Sequence, residues 1–198
     1  KVQTHTSIRM NFLEEAYEAV DALDLDDPVL MCEELGDVLM QVAFHTCMEQ
    51  ETGRFTWEQV CDGVCQKLIE RHPNIFGTQP GYEGITDWDA LKNKEKGRRT
   101  LADDLESVPR AMPALMRAAK LQKRAARHGA ALQGADAVAL ADAAENLQTA
   151  QPASAQAEQA VGELLFAAAN LARQAGVDPE QALQKANEAF CTAAGPVA

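Results

Sequence analysis

The chain reads LEEAYE over residues 13–18 and EELGD over residues 33–37. Glu15 and Glu18 are spaced i,i+3, as are Glu34 and Asp37, so on a helix each pair lies on one face, one turn apart. If the two helices pack antiparallel, four carboxylates converge, and each pair repels by about 4 kcal/mol at about 4 Å. A positive ion must then lie between them. A hard divalent cation with oxygen ligands fits best, Mg²⁺ with Mn²⁺ as the alternative.

Charge is distributed unevenly along the chain. The 198 residues carry 18 Lys and Arg against 30 Asp and Glu, which argues against a nucleic-acid partner. Residues 10–53 contain 12 acids and no Lys or Arg, whereas residues 89–127 contain 11 basic residues and 5 acids. Acids that hold a metal and bases that hold anionic oxygens are what metal-dependent phosphate chemistry requires. Most other charges, including the basic cluster between residues 117 and 127, are interpreted as solvated helix faces.

Composition predicts an all-α fold. The chain is rich in Ala, Leu, Glu and Gln, and only 5% of its residues are aromatic. Its length suffices for one domain or two small ones. The five cysteines form no CxxC pair and are predicted to be reduced core thiols of a cytoplasmic protein. No apolar run approaches the ~18 residues of a membrane span, and no secretory signal is present, so no membrane partner is expected.

Three helices are predicted before the first glycine-rich segment. Asp27 and Pro28 are typical of an N-cap and first helical residue, and Thr56 with Gln59 is typical of a capping box. Pro73 ends the third helix, and residues 73–86 are predicted to form a loop. The apolar stripes expected to face the core are Ile8, Phe12, Ala16, Val20 and Leu23 in the first helix, Leu35, Val38, Leu39 and Val42 in the second, and Val60, Val64 and Leu68 in the third.

Basic and aromatic side chains recur at helical spacing further on. Lys67 and Arg71 share one face of the third helix. Asp87 is predicted to cap a short helix on which Trp88 and Lys92 lie one turn apart. The histidine at position 45, within the second helix, is interpreted as a core or interface residue rather than as a ligand.

These motifs, in this order, resemble the MazG family of nucleoside triphosphate pyrophosphohydrolases. The resemblance is carried by Glu14-Glu15-x-x-Glu18, Glu34-x-Gly36-Asp37, the run RHPNIFG over residues 71–77 and Trp88-x-x-x-Lys92, and it covers most of the first 125 residues. It implies an all-α four-helix-bundle fold, usually a homodimer. It also implies Mg²⁺-dependent cleavage of a nucleoside triphosphate substrate to the monophosphate and pyrophosphate.

The resemblance also implies roles for individual residues. The implied metal ligands are Glu15, Glu18, Glu34 and Asp37, with Glu14 as a neighbouring carboxylate. The implied substrate-binding residues are Lys67, Arg71 and Lys92 for the phosphates and Trp88 for the nucleotide. The expected mechanism is metal-assisted hydrolysis, in which Glu14 orients or deprotonates the water and the three cations offset charge on the pyrophosphate leaving group. No P-loop and no Ser or Cys nucleophile arrangement is present, so covalent catalysis is not expected.

The chain also contains a weaker second copy of the motifs, because GDVL at residues 36–39 recurs as GELL at residues 162–165. In this register, Glu15, Glu18 and Asp37 correspond to Asp142, Glu145 and Glu163. Four other site positions, Glu14, Glu34, Lys67 and Arg71, correspond to Ala141, Ala160, Ala189 and Ala193. The predicted organisation is a catalytic repeat over residues 1–97, a basic connector helix over 98–134 and a degenerate repeat over 135–198.

Two other functional classes share some of these features. A di-iron carboxylate bundle also places acids on facing helices, but its Glu-x-x-His motifs are absent. A non-catalytic nucleotide-binding or scaffolding helical protein stays open as the alternative, because the second repeat has lost residues that the chemistry requires.

Overall fold

All regular structure in the described part of the chain is helical. The computed structural model describes residues 3–77, 91, 95–97 and 100–195, and these contain eight helices and no strand. The prediction of an all-α fold is therefore confirmed. The chain divides into two compact units, Lys1–Thr86 and Asp87–Ala198.

The first unit contains α1 (His5–Asp24), α2 (Pro28–Glu51) and α3 (Trp57–Arg71). A three-residue connection, residues 25–27, makes α1 and α2 an antiparallel hairpin, and α3 packs against α2. The predicted helix starts are confirmed. Asp27 accepts hydrogen bonds from the backbone of Val29 and Leu30, and Thr56 forms a capping box with Gln59.

The packing of this unit differs from the predicted apolar stripes. Ala19 and Ala22 are buried on α1, whereas Val20 and Leu23 are 50% and 53% exposed. The long side chains Leu35 and Leu39 on α2 and Val64 and Leu68 on α3 are likewise exposed. Small residues let α1 and α2 approach closely, so the seam between them passes through alanines and polar groups. The long apolar side chains consequently point outward.

The second unit contains five helices in its described residues. They are α4 (Leu101–Glu106), α5 (Ala114–Arg127), α6 (Ala137–Thr149), α7 (Ala155–Gln174) and α8 (Pro179–Ala194). The α6/α7 pair is the main packing element, and α5 and α8 both contact α7. The core consists largely of the buried alanines Ala143, Ala160, Ala167 and Ala169. Part of the predicted basic connector, residues 98–134, is observed as the helix α5, whereas the repeat boundaries at residues 97 and 134 stay predictions.

A buried ionic cluster fixes α4 against α5. Asp104 is 1% exposed, and its carboxylate lies 3.0 Å from Nη1 of Arg124, 3.2 Å from Nη2 of Arg127 and 3.1 Å from Nε2 of His128. Arg124 also donates to the Asp104 carbonyl oxygen. The interpretation of the whole basic cluster as a solvated helix face is therefore wrong for Arg124, which is buried.

All five cysteines are free and exposed, so their interpretation as core thiols is wrong. They lie on outward faces of their helices because the buried positions of both units are taken mainly by alanine and polar side chains. Cytoplasmic localisation stays a prediction. Among the described residues, no helix is both long and apolar enough to cross a membrane.

Candidate metal centre

The α1/α2 hairpin brings three of the predicted carboxylates together. One oxygen from each of Glu15, Glu18 and Glu34 lies within 4.8 Å of the other two. Glu15 and Glu18 come from successive turns of α1, and Glu34 comes from the facing part of α2. Glu15 and Glu34 are half-buried and Glu18 is exposed. This is the only such group of three or more potential ligands found among the described residues.

The carboxylates of this group lie close enough together to repel one another, and the pKa of Glu34 reflects that repulsion. Desolvation in the hairpin, followed by the negative charges of Glu18 and Asp37, raises the pKa of Glu34 above its ordinary value. Glu33 and Glu15 act in the same direction. A raised carboxyl pKa means that the charged form is disfavoured in the folded protein. A cation placed among these oxygens would reverse that penalty, so the donor set fits Mg²⁺ or Mn²⁺.

Asp37 and Glu14 lie beside this group without belonging to it. Asp37 is half-buried one turn after Glu34, close enough to raise the Glu34 pKa, but its oxygens fall outside the set of three. Glu14 precedes Glu15 on α1 and is exposed. The assignments of Asp37 as a ligand and of Glu14 as the residue that orients water stay predictions.

The predicted substrate-binding residues are described only in part. Lys67 is exposed and Arg71 is half-buried, both in the last two turns of α3, which packs against α2. Their assignment to phosphate contacts stays a prediction. Trp88 and Lys92, together with the short helix expected after Asp87, lie outside the described residues.

One polar contact to the carboxylate group was not anticipated from the sequence. Nε2 of Gln41 donates a hydrogen bond to Oε1 of Glu15 at 3.2 Å, and Gln41 is 5% exposed. Gln41 follows Glu34 by seven residues on α2, which is the spacing that returns a side chain to the same helix face. That periodicity is the signal that could have identified it.

A separate set of polar contacts joins α1 to α2 nearer the start of α1. Nδ1 of His5 lies 2.6 Å from Nδ1 of His45, and the two rings stack with centroids 4.9 Å apart. On its other side His5 contacts Glu49, which also pairs with Arg54, and Phe12 meets the His45 ring edge-on. Because Glu49 and His45 contact opposite nitrogens of His5, the arrangement joins α1 to α2 rather than encircling a cation.

The second unit has acids at three of the five positions predicted to correspond to the carboxylates of the first unit, but among the described residues it does not gather them. Among the residues that the structure describes, Asp142, Glu145 and Glu163 form no ligand group. Asp142 and Glu163 line an open cleft, where Glu163 accepts a hydrogen bond from Gln159. At the position predicted to correspond to Glu34, Ala160 on α7 is 2% exposed.

Comparisons with known proteins identify the family to which the carboxylate-bearing unit is similar. A family model described as the MazG nucleotide pyrophosphohydrolase domain matches residues 3–76, which contain all three gathered carboxylates. The chain is 39% identical to a nucleoside triphosphate pyrophosphohydrolase of Escherichia coli (strain K12) over 96% of its own length and 76% of that protein. It is 38% identical to a nucleoside triphosphate pyrophosphohydrolase/pyrophosphatase MazG of Thermotoga maritima, over 95% of this chain and 73% of that protein. These two similarities extend through both units.

Proposed function

The chain belongs to the MazG nucleotide pyrophosphohydrolase family, and on that premise we propose that it hydrolyses nucleoside triphosphates to nucleoside monophosphate and pyrophosphate. The observation that carries the proposal is the convergence of Glu15, Glu18 and Glu34 within the segment that matches the family model. The names of both relatives support the substrate class.

We propose Mg²⁺, replaceable by Mn²⁺, as the metal, held by Glu15, Glu18, Glu34 and Asp37. When bound, such an ion polarises phosphoryl oxygens and supports attack by water. The chain's own part is to hold four carboxylates in place against their repulsion, which two rigid helices do better than loops. The raised pKa of Glu34 supports this role, because an apo site that disfavours charge gains most from a cation.

The remaining roles concern the water and the substrate. Glu14, exposed beside Glu15, is proposed to orient or deprotonate the attacking water. Lys67 and Arg71 are proposed to offset negative charge on the departing pyrophosphate, as is Lys92, and Trp88 is proposed to lie against the nucleotide.

We further propose that the chain is a homodimer. The hairpin exposes an unusual number of long apolar side chains for a helix pair with so few buried apolar residues. They are Met10, Leu13, Tyr17, Val20 and Leu23 on α1 and Val29, Leu35, Leu39, Met40 and Phe44 on α2. Apolar surface of this kind supports association with a second copy, which would complete a four-helix bundle.

The direct test is product analysis. Purified protein is incubated with a panel of ribo- and deoxyribonucleoside triphosphates and Mg²⁺, and pyrophosphate and orthophosphate are measured separately. Release of pyrophosphate with stoichiometric monophosphate, abolished by chelator, is the expected result. Release of orthophosphate would indicate a phosphatase, and binding without turnover would favour a nucleotide-binding or scaffolding protein.

A further inference from the structure

Gln41 combines three properties that connect it to the gathered carboxylates. It is nearly fully buried, it comes from the same face of α2 as Glu34, and it donates a hydrogen bond from Nε2 to Glu15 across the seam. Glu15 is itself a member of the gathered carboxylates. Gln41 is therefore the side chain through which α2 fixes the orientation of a carboxylate on α1.

The chemistry of an amide suits this position. A carboxylate has about four lone-pair positions, so Oε1 of Glu15 can accept from Gln41 while others stay open to a cation. A lysine here would compete with the metal by its own positive charge. An acid would add another repelling charge beside Glu15, Glu18 and Glu34. A neutral donor holds Glu15 inward without either effect.

The other end of the amide shows which contact sets its orientation. Oε1 of Gln41 is buried and accepts no hydrogen bond from the described residues. A buried acceptor without a partner is unfavourable, so the hydrogen bond from Nε2 is the one interaction that favours this orientation of the amide. Turning the amide over would place its oxygen against the Glu15 carboxylate, so the contact with Glu15 determines which way the amide lies.

We infer that Gln41 is a positioning residue that holds Glu15 in its metal-binding orientation. This inference rests on the proposed function, because it requires the carboxylate group to bind a cation. It assigns Gln41 no contact with substrate. Its expected effect is on metal affinity, because partners that orient metal ligands typically contribute about 10- to 100-fold to binding.

The second unit supplies a matched control in Gln122. It is 1% exposed, its Nε2 donates to the Phe166 carbonyl oxygen at 2.7 Å, and its Oε1 likewise accepts no hydrogen bond from the described residues. Gln122 thus has the same burial and the same bonding pattern as Gln41, but its partner is a backbone carbonyl far from any gathered carboxylates in sequence. It represents a purely structural use of a buried amide.

The test measures Mn²⁺ binding by isothermal titration calorimetry on the full chain without nucleotide. Gln41→Met, which keeps length and removes the donor, should weaken Mn²⁺ binding about tenfold or more. Gln122→Met should leave the Mn²⁺ dissociation constant within about twofold, although both substitutions remove one buried hydrogen bond. Gln41→Asn keeps an amide but shortens it by one methylene, and it should also weaken binding.

The outcomes separate this inference from the proposed function. Equal Mn²⁺ binding by the wild type and Glu34→Ala would show that the carboxylate group is not a metal site, and would contradict the proposed function. Loss of binding in Glu34→Ala with wild-type affinity in Gln41→Met would overturn only the role of Gln41. Equal weakening by Gln41→Met and Gln122→Met would also overturn it, since the effect would then be general. If Gln41→Met does not fold, as judged by circular dichroism, Gln41→Asn decides on the same criteria.

Discussion

The α1/α2 pair of the first unit and the α6/α7 pair of the second have similar sequence patterns, but they differ in whether they gather carboxylates. In the first pair, Glu34 completes a group of three carboxylates, and long apolar side chains point outward. In the second pair, Ala160 stands at the position predicted to correspond to Glu34 and is buried. A methyl group in place of a carboxylate removes a repelling charge, so this position can be buried. The acids elsewhere on these helices form no ligand group among the described residues.

The largest expected effect is loss of catalysis when Glu34 in the first unit is replaced by alanine, the residue found at position 160 in the second. Glu34→Ala should lower pyrophosphate release roughly a thousandfold, because several kcal/mol of charge stabilisation by the metal is lost. The metal-free variant should melt at the same temperature as the metal-free wild type or higher, since one repelling carboxylate is gone. Pyrophosphate assays and thermal melts check the two parts. A variant with most of its activity would show that the group of three carboxylates is not the site.

Asp37→Ala and Glu163→Ala extend that comparison at matched positions. Asp37→Ala should remove activity as Glu34→Ala does, whereas Glu163→Ala should leave turnover within about twofold, because no ligand group surrounds Glu163 in the described structure. Steady-state kinetics with Mg²⁺ give both values. Similar losses from both substitutions would show that the second unit also contributes to catalysis.

The reverse exchange should damage the second unit. Ala160→Glu places a carboxylate at a buried position without a cationic partner, and it should lower the free energy of unfolding by about 3 kcal/mol. Val161→Glu, one residue on and 40% exposed, is the control and should change stability by about 0.5 kcal/mol or less. Urea unfolding measures both. A stable Ala160→Glu protein that gains a second Mn²⁺ site would show that the lost site can be rebuilt by one residue.

The two units should differ in their contribution to dimer formation, because the exposed apolar face of the α1/α2 hairpin is the proposed interface. Light scattering should give about twice the chain mass of 21.4 kDa for the wild type. Phe44→Glu, at a position 50% exposed, should weaken the dimer by about 2 kcal/mol or more, because a charge would be desolvated in the interface. Val138→Glu, in the second unit and 68% exposed, should leave the mass unchanged. A monomeric wild-type chain would contradict the proposed homodimer.

The smallest expected effect is a pH dependence confined to the first unit. The Glu34 pKa is raised above 4.5, so the folded state disfavours ionisation of Glu34. Below about pH 4.5 the wild type and Glu34→Gln should be similarly stable, and the metal-free wild type should lose stability relative to the variant as pH rises toward neutrality. Unfolding in chelator across this pH range tests the sign. Saturating Mg²⁺ should reverse it, because the carboxylate then has a cation.

Local chemistry made much of the first unit predictable. Asp27 with Pro28, and Thr56 with Gln59, define helix starts through hydrogen bonds within three residues, and both starts are found. The i,i+3 carboxylate pairs depend only on helix geometry, so their placement on α1 and α2 followed from the sequence. The correspondence of Ala160 to Glu34 stays a prediction.

The contacts between helices were less predictable. The apolar stripe predicts that Val20 and Leu23 face the core, but both side chains are about half exposed. Ala19 and Ala22 are buried in their place, so a neighbouring face of α1 points inward. The pairing of Asp104 with Arg124 joins residues 20 positions apart and has no periodic signature. Gln41 carries a periodic signal, but an amide on a helix face gives no sign of which carboxylate it will meet.

The sequence alone determined the all-α fold, the starts of α2 and α3 and the spacing of the carboxylate pairs, because each follows from backbone propensity, capping and the 3.6-residue period. Only the tertiary structure decided that Glu15, Glu18 and Glu34 meet, that Gln41 holds Glu15, and that the long apolar side chains of the hairpin stay exposed. These depend on the rotation and spacing of neighbouring helices. Close packing sets that rotation by the combined fit of many side chains, and no single stretch of sequence encodes it.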